Sequence, residues 1–497
     1  MQNSDGGWGD TIRSRSNIST SWLVLAAFHI AGAPDTSGLD RCKDYLDKNG
    51  GYRAVIARYG KDRTFSAPIL SMLATADLCD WNECPALPFW MAAFPRQFFP
   101  YIGLRVVSYA LPALIGVGLA IFEKSDQSKQ PLAFLKRASI SRVLRQLESI
   151  TPESGGFLEA APLTSFVAMN LINAGHAAHP VVQKNIAFLL RQQRTDGSWP
   201  IDEDLSVWLT TLSVQALGGG DEAVRDWILQ QQSHAVHPFT GSAPGAWGWT
   251  WHSGSVPDAD DTAGALMALS LLPPSNASTQ AARAGEHWLL DLQNSDGGWP
   301  TFCRGWHDLP FDQSCPDLTA HALRALHKNK MDNTTGQAAI QRGLHYLERA
   351  QQPDGSWFPL WFGNEAAPDE RNPVLGTSRV LCAWTDLGLT DAPSAQHGKA
   401  YLLQAQNTDG SWGGASGVAG SIEETALASE ALGRFPDEPA IHTAYSRAIG
   451  WLCERIESGG LDSPAPIGLY FANLWYFERL YPAIFATAVL RQAIKRP

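Results

Sequence analysis

The chain has 497 residues, 44% hydrophobic and 18% charged, which is too apolar for disorder and too long for one ordinary core. Its 38 basic and 49 acidic side chains leave a formal charge of −11, which repels a phosphate backbone, so no nucleic-acid partner is expected. Seven cysteines, odd in number and thinly spread, suit a reducing compartment and argue against a secreted disulfide scaffold.

In chain order, the opening MQNSDGGWGD has neither a basic nor an apolar run and predicts no secretory signal. A cytoplasmic protein is expected, soluble or peripheral at the inner membrane face. The same decapeptide holds the first copy of a seven-residue phrase, Gln-x-x-Asp-Gly-(Gly/Ser)-Trp. Further copies lie at Gln193–Trp199, Gln293–Trp299, Gln351–Trp357 and Gln406–Trp412, with degenerate versions ending at Phe157, Trp247 and Leu461. Asp-Gly-Gly and Asp-Gly-Ser permit a tight turn with positive φ. Gln closes the preceding helix and Trp covers its end, so these residues read as structural staples.

Cys79 and Cys84 form one lone pair, without the second pair that a zinc site requires. Residues 85–122 are strongly apolar but broken by Pro88, Pro95, Pro100 and Pro112 and by Arg96 and Arg105. The run is either a core helix or a monotopic membrane contact. The polar stretch 123–130 reads as a linker, dividing the chain into an N-terminal helical domain, 1–130, and a repeat array, 131–497.

Each later turn is followed by a second element. DDTAGALMAL (260–269), DLTAHALRAL (317–326) and EETALASEAL (423–432) superpose without gaps, and WLTTLSVQAL (208–217) is a looser copy. Apolar residues at i, i+3 and i+4 behind an acid or Thr mark helices. Helix pairs repeating every 40 to 60 residues, with no convincing strand, predict an all-α fold built as an α/α barrel.

One helix start differs from the rest. Acids there are ordinarily caps, but Asp258, Asp260 and Asp261 place three carboxylates within four residues. Crowded like charges raise the cost of ionising all three, so one holds its proton near neutrality and can act as a general acid. His321, on the matching helix of the next repeat, is placed to approach Asp260. Trp208, Trp249, Phe302 and Trp361 fall around these residues, and electron-rich rings stabilise cations without trapping them. An acid in a dry aromatic barrel describes carbocation chemistry; on a polar substrate the same parts describe a glycosidase.

The repeated phrase, the DADDTA segment and the PDLTAH segment together resemble squalene–hopene cyclases and related class II terpene cyclases, over nearly the whole chain. The LPFWMAAFPRQFFPYIGLRVVSY region resembles their smaller domain, including its membrane-facing part. The resemblance implies that Asp260 is the Brønsted acid, that Asp258 and Asp261 flank it, and that His321 supports it. It places Trp208, Trp249, Phe302 and Trp361 as cavity π-faces, with Tyr470 a further cavity aromatic near the C-terminus. It implies a catalytic barrel over 131–497 and a reduced first domain over 1–130. A hydrophobic linear isoprenoid substrate follows, with no redox cofactor and no metal, magnesium entering only for a diphosphate substrate.

Two departures bear on the substrate. The N-terminal portion is over a hundred residues shorter than in full squalene–hopene cyclases, and an EDxxD-like magnesium motif is absent. The expectation is a C15–C20 prenyl diphosphate or a prenylated ring compound, with squalene as the alternative; Arg304, Arg371 and Arg379 are the basic candidates for a diphosphate. A prenyltransferase-like zinc set of Asp312, Cys315 and His321 has the wrong spacing. A non-catalytic lipid-binding barrel is the rival of another class.

Overall fold

The structure is a computed structural model that describes residues 1–33, 37–60, 63–95, 110–202, 204–238, 240–302, 310–329, 334–436, 438–468 and 474–496. Among these residues there are nineteen α-helices and no strand beyond isolated bridges, the all-α architecture expected from the repeats. The chain divides into two compact units. The first holds residues 1–204 with 238–241 and 252–255; the second holds 205–237, 242–251 and 256–497.

The first unit contains α1 (Ile18–Ile30), α2 (Ser37–Lys48), α3 (Arg53–Tyr59), α4 (Arg63–Thr75), α5 (Leu111–Lys124), α6 (Ala133–Ser149), α7 (Ala161–Asn173) and α8 (Pro180–Gln192). Its centre is α5, where every residue from Leu111 to Phe122 except Leu114 is buried. That part of the apolar 85–122 run is a core helix; residues 96–109 lie outside those described. Gly116 lets α5 approach α7 so closely that a Cβ would lie 3.2 Å from the Val167 Cα.

This packing also moves the division expected at residue 130, because α6, α7 and α8 belong with α5. The polar stretch 123–130 is no open linker. It folds as a 3-10 turn, Asp126–Lys129, capped by the Ser125 side chain and tied by an Asp126 N–H bond to Asn82 Oδ1 at 2.9 Å.

The second unit is the barrel. Its inner helices are α9 (Ser206–Leu217), α11 (Ala259–Leu269), α13 (Pro316–Lys328), α15 (Pro373–Asp386), α17 (Ile422–Leu432) and α19 (Tyr481–Lys495). Each packs against the next, and α19 packs back on α9, closing a ring of six. Two bonds pin the closure: Trp208 Nε1 donates to Tyr481 Oη at 2.9 Å, and Arg491 donates to the Ala216 carbonyl at 2.8 Å. The outer helices α10 (Glu222–Gln230), α12 (Asn276–Leu292), α14 (Thr334–Ala350), α16 (Pro393–Ala405) and α18 (Pro439–Glu457) lie behind them. Small residues dominate the inner helices because these are covered on nearly all sides, whereas outer helices need one apolar stripe.

The Trp phrase is the joint between pairs. Gln293 Nε2 donates to Gly297 O at 2.8 Å and to Ala339 O on the next outer helix at 2.9 Å. Trp299 donates its indole N–H to Leu289 O at 2.8 Å, and its backbone N–H to Thr319 Oγ1 at 3.0 Å. Gly297 has φ +95°, and a Cβ there would meet the Arg342 carbonyl. The copies at Trp357 and Trp412 repeat these bonds, with Thr377 and Thr425 as acceptors. The staple reading therefore stands for the barrel copies.

Candidate active site

Asp258 is the N-cap of α11. Its Oδ1 accepts the backbone N–H of Asp260 at 2.9 Å and of Asp261 at 2.8 Å, satisfying two of the free donors of the helix start. Capping turns Asp258 back onto the helix and aims Asp260 away from it. Asp260 Oδ1 meets His321 Nδ1 on α13 at 2.6 Å. Within Ala259–Leu269, Asp260 alone is not buried.

The electrostatics follow from burial. Asp258 is pushed up to about 7, first by desolvation and then by the Asp260 charge, against the hydrogen bonds it accepts. Asp261 is pushed well above the carboxylate range by burial and by the charges of Asp258 and Asp260. His321 is held below an ordinary histidine by burial, although Asp260 pulls the other way. Burial thus favours the neutral imidazole, which is hydrogen-bonded to the Asp260 carboxyl.

One aromatic ring lies against this pair, and three others form a separate set. The Trp208 ring stands edge-on to His321, centroids 6.2 Å apart. Phe302 lies 6.1 Å from Trp249 and 6.1 Å from Trp361, both edge-on. The four ring residues expected from sequence thus fall into two groups, one at His321 and one continuous set of three. Tyr470 lies outside the described residues, as does Arg304. Arg371 is engaged with Asp369 at 3.3 Å and lies over the Phe358 ring.

Sequence reasoning missed four rings. Phe311 packs on both Phe302 and Trp361 with centroids 5.2 Å away. Tyr481 stacks on Phe485 at 5.2 Å and meets Phe362 edge-on at 6.3 Å. Phe362 had a signal, its adjacency to Trp361. Tyr481 and Phe485 had little, since α19 follows no complete Trp phrase.

The same region shows what the other helix-start acids do. Asp317 is buried, pushed up to about 6 by desolvation, and accepts a bond from the Cys315 thiol. Among the described residues no cluster of His, Cys, Asp and Glu could hold a metal ion.

The second unit is thus a closed ring of helices carrying a carboxyl–imidazole pair with the Trp208 ring against it. Residues 205–431 match the squalene–hopene cyclase C-terminal domain family, and residues 1–154 match the N-terminal domain family. The squalene–hopene cyclase of Bradyrhizobium diazoefficiens is 25% identical over 83% of this chain and 72% of its own length. A drimenyl diphosphate synthase from Streptomyces showdoensis is 27% identical over 62% of this chain and 54% of its own length. The solved ent-copalyl diphosphate synthase from Streptomyces platensis shares the fold, with TM-score 0.63 at 18% identity over 99% of this chain and 89% of that one. The chain belongs to the squalene–hopene cyclase-like family of class II terpene cyclases, and is an enzyme of that type.

Proposed function

We propose that Asp260 is the acid that protonates the terminal alkene of a linear isoprenoid. The Asp260–His321 bond of 2.6 Å carries this reading, because it joins the least buried carboxyl of the cluster to a titratable partner. In the step, the Asp260 O–H bond breaks while the alkene π pair forms a new C–H bond, leaving a cation at the adjacent carbon. The next alkene of the folded chain attacks it, and ring closures follow. Trp249, Phe302, Phe311 and Trp361 offer π-faces to the successive cations. Asp258 and Asp261, held neutral by burial, place no second charge beside Asp260 below about pH 7.

The substrate proposed is a C15–C20 prenyl diphosphate or a prenylated ring compound, a reading supported by the relative named for drimenyl diphosphate. Squalene is the second reading, favoured by the squalene–hopene cyclase relative that covers more of the chain. Purified enzyme and its Asp260→Asn variant, each offered farnesyl diphosphate, geranylgeranyl diphosphate and squalene with and without magnesium, separate these. Cyclic products from a diphosphate with wild type, and none from the variant, are expected. Pentacycles from squalene alone would overturn the substrate assignment, and full activity of Asp260→Asn would overturn the mechanism.

A peripheral membrane contact belongs to the same proposal. No helix among the described residues is long and apolar enough to cross a membrane. Within the first unit, Leu132, Phe134 and Leu135 at the start of α6 are all more than half exposed. Trp90 and Phe94, on the 3-10 turn that packs against α6 and just beyond it, are exposed too, and Lys136 and Arg137 follow on α6. An apolar patch beside basic residues suits the surface of an anionic bilayer. Flotation with anionic vesicles should fall several-fold for Phe134→Ser/Leu135→Ser; unchanged flotation would remove the patch.

A further inference from the structure

Three tryptophans belong to the aromatic groups of this site, and their indole N–H groups meet different fates. Trp361 Nε1 donates to Thr301 Oγ1 at 3.1 Å. Trp208 Nε1 donates to Tyr481 Oη at 2.9 Å, across 273 residues of chain. Trp249 Nε1 is buried and meets no acceptor among the described residues. The N–H is the one polar point on an indole, so its acceptor decides how the ring plane is turned. Of the three, Trp208 is the one against the Asp260–His321 pair, its plane 72° from that of the imidazole.

The backbone of Trp208 is fixed on both sides. Its N–H donates to the Trp249 carbonyl at 3.2 Å, and its own carbonyl accepts the Thr211 hydroxyl at 2.9 Å. Gly264 on α11 leaves room for α9 and α13 to meet, since a Cβ there would lie 2.9 Å from Thr211 Oγ1 and 3.6 Å from His321 Cε1. What remains free is the pair of torsions that turn the indole, and the bond to Tyr481 holds these. Tyr481 is itself held. It is buried in the first turn of α19, stacked on Phe485 at 5.2 Å and edge-on to Phe362 at 6.3 Å. The Arg379 guanidinium lies over the same Phe485 ring, 5.3 Å from its centroid.

We propose that Tyr481 is a positioning residue for the cyclisation: by accepting the Trp208 indole N–H, its hydroxyl fixes the π-face beside the Asp260–His321 pair and so how far ring closure proceeds. Attraction between a cation and a ring depends on the charge lying over the ring face, so an indole turned aside holds it less well. A cation less well held gives a proton to water, its C–H pair becoming an alkene, before the next ring closes. The hydroxyl oxygen alone carries this role, because phenylalanine at 481 would fill the same space and keep the stack on Phe485.

The inference rests on Asp260 being the acid, and the test separates the two. In full-length enzyme carrying indole-15N tryptophan, the Trp208 N–H signal is assigned by its loss in Trp208→Phe. In Tyr481→Phe that signal should move upfield, as a lost hydrogen bond requires. With whichever of farnesyl diphosphate, geranylgeranyl diphosphate and squalene wild type converts, Tyr481→Phe should raise the share of early-terminated products about fivefold, the worth of one hydrogen bond, with KM within about twofold. Its kcat–pH profile should keep the wild-type shape, since the hydroxyl takes no part in proton transfer. In a Trp208→Phe background, Tyr481→Phe should add nothing further. An unmoved indole signal, an unchanged product share, or an equal effect of Tyr481→Phe in both backgrounds would each overturn the proposal. If Tyr481→Phe fails to fold, 3-benzothienylalanine at position 208, which keeps a bicyclic ring and lacks the N–H, should give the same product shift, and native products there would overturn it too. Activity retained in Asp260→Asn would instead strike the acid assignment, leaving the indole signal and the product share to judge Tyr481 alone.

Discussion

The starts of α11 and α17 are built alike and do different things. Both place acids in the first turn behind a capping side chain, Asp258 in one and Ser421 in the other. On α17 the acids hold loops. Glu423 accepts the Ala465 N–H at 2.7 Å, and Glu424 accepts the Asn364 and Asn372 amides at 3.0 and 3.1 Å. On α11, Asp260 meets an imidazole. A buried acid at a helix end is therefore no sign of chemistry; the sign is a titratable partner on a neighbouring helix together with access to a substrate.

That contrast is most sharply tested by paired substitutions. Asp260→Asn should cost about 10²–10⁴-fold in kcat, the usual share of a general acid, while Glu423→Gln should stay within about twofold. Equal losses in steady-state assays would mean that both helix starts serve only the fold. The same pair should separate in stability. Glu423 is pushed up to about 7 by burial and by Glu424, so the folded chain holds this proton more tightly than the unfolded one. Its contribution is intact below about pH 4 and is lost as pH rises through 7. Glu423→Gln should thus raise Tm at pH 8 relative to wild type and leave it nearly unchanged at pH 4.

The aromatic residues extend the comparison. Trp299 is fully buried beneath the turn, and Trp299→Ala should cost about 3–5 kcal/mol of stability in denaturant melts, with the product pattern unaltered. Phe302→Ala should give early-terminated, less cyclised products in mass spectra, because an unsupported cation loses its proton sooner. Native products at native rate from Phe302→Ala would make it a packing residue.

The smallest effect is expected at Trp199. Its phrase matches that of Trp299, and its indole N–H reaches Leu189 O at 2.7 Å, yet it is 44% exposed. Gln193 reaches Gly197 O only at 3.4 Å, whereas Gln293 bridges to a further helix as well. Trp199→Ala should change stability by less than about 1 kcal/mol. The phrase builds a turn anywhere; burial of its Trp comes from the helix pair that follows.

Much was legible in the chain because it repeats. The spacing of the Trp phrases and the Ala- and Leu-rich inner helices are local chemistry written several times over, and they specify the barrel. The three carboxylates at 258–261 stand out for the same reason, as a break in a repeated register. One copy hid its partner: Gln232 bonds Gly245 O at 2.7 Å and Ala281 O at 2.9 Å, so the Trp247 turn is complete although its Gln lies far upstream.

The tertiary structure decided the rest. Only ring closure sets Tyr481 and Phe485 among the other rings, because α19 meets α9 from the far end of the sequence. Only the packing of α5 against α7 shows that 111–122 is core and that 123–130 is a folded turn. Repeats report what each unit does to itself and its successor. Burial, the distance between charges and the ring that closes over a cavity depend on residues hundreds apart, and no local pattern records them.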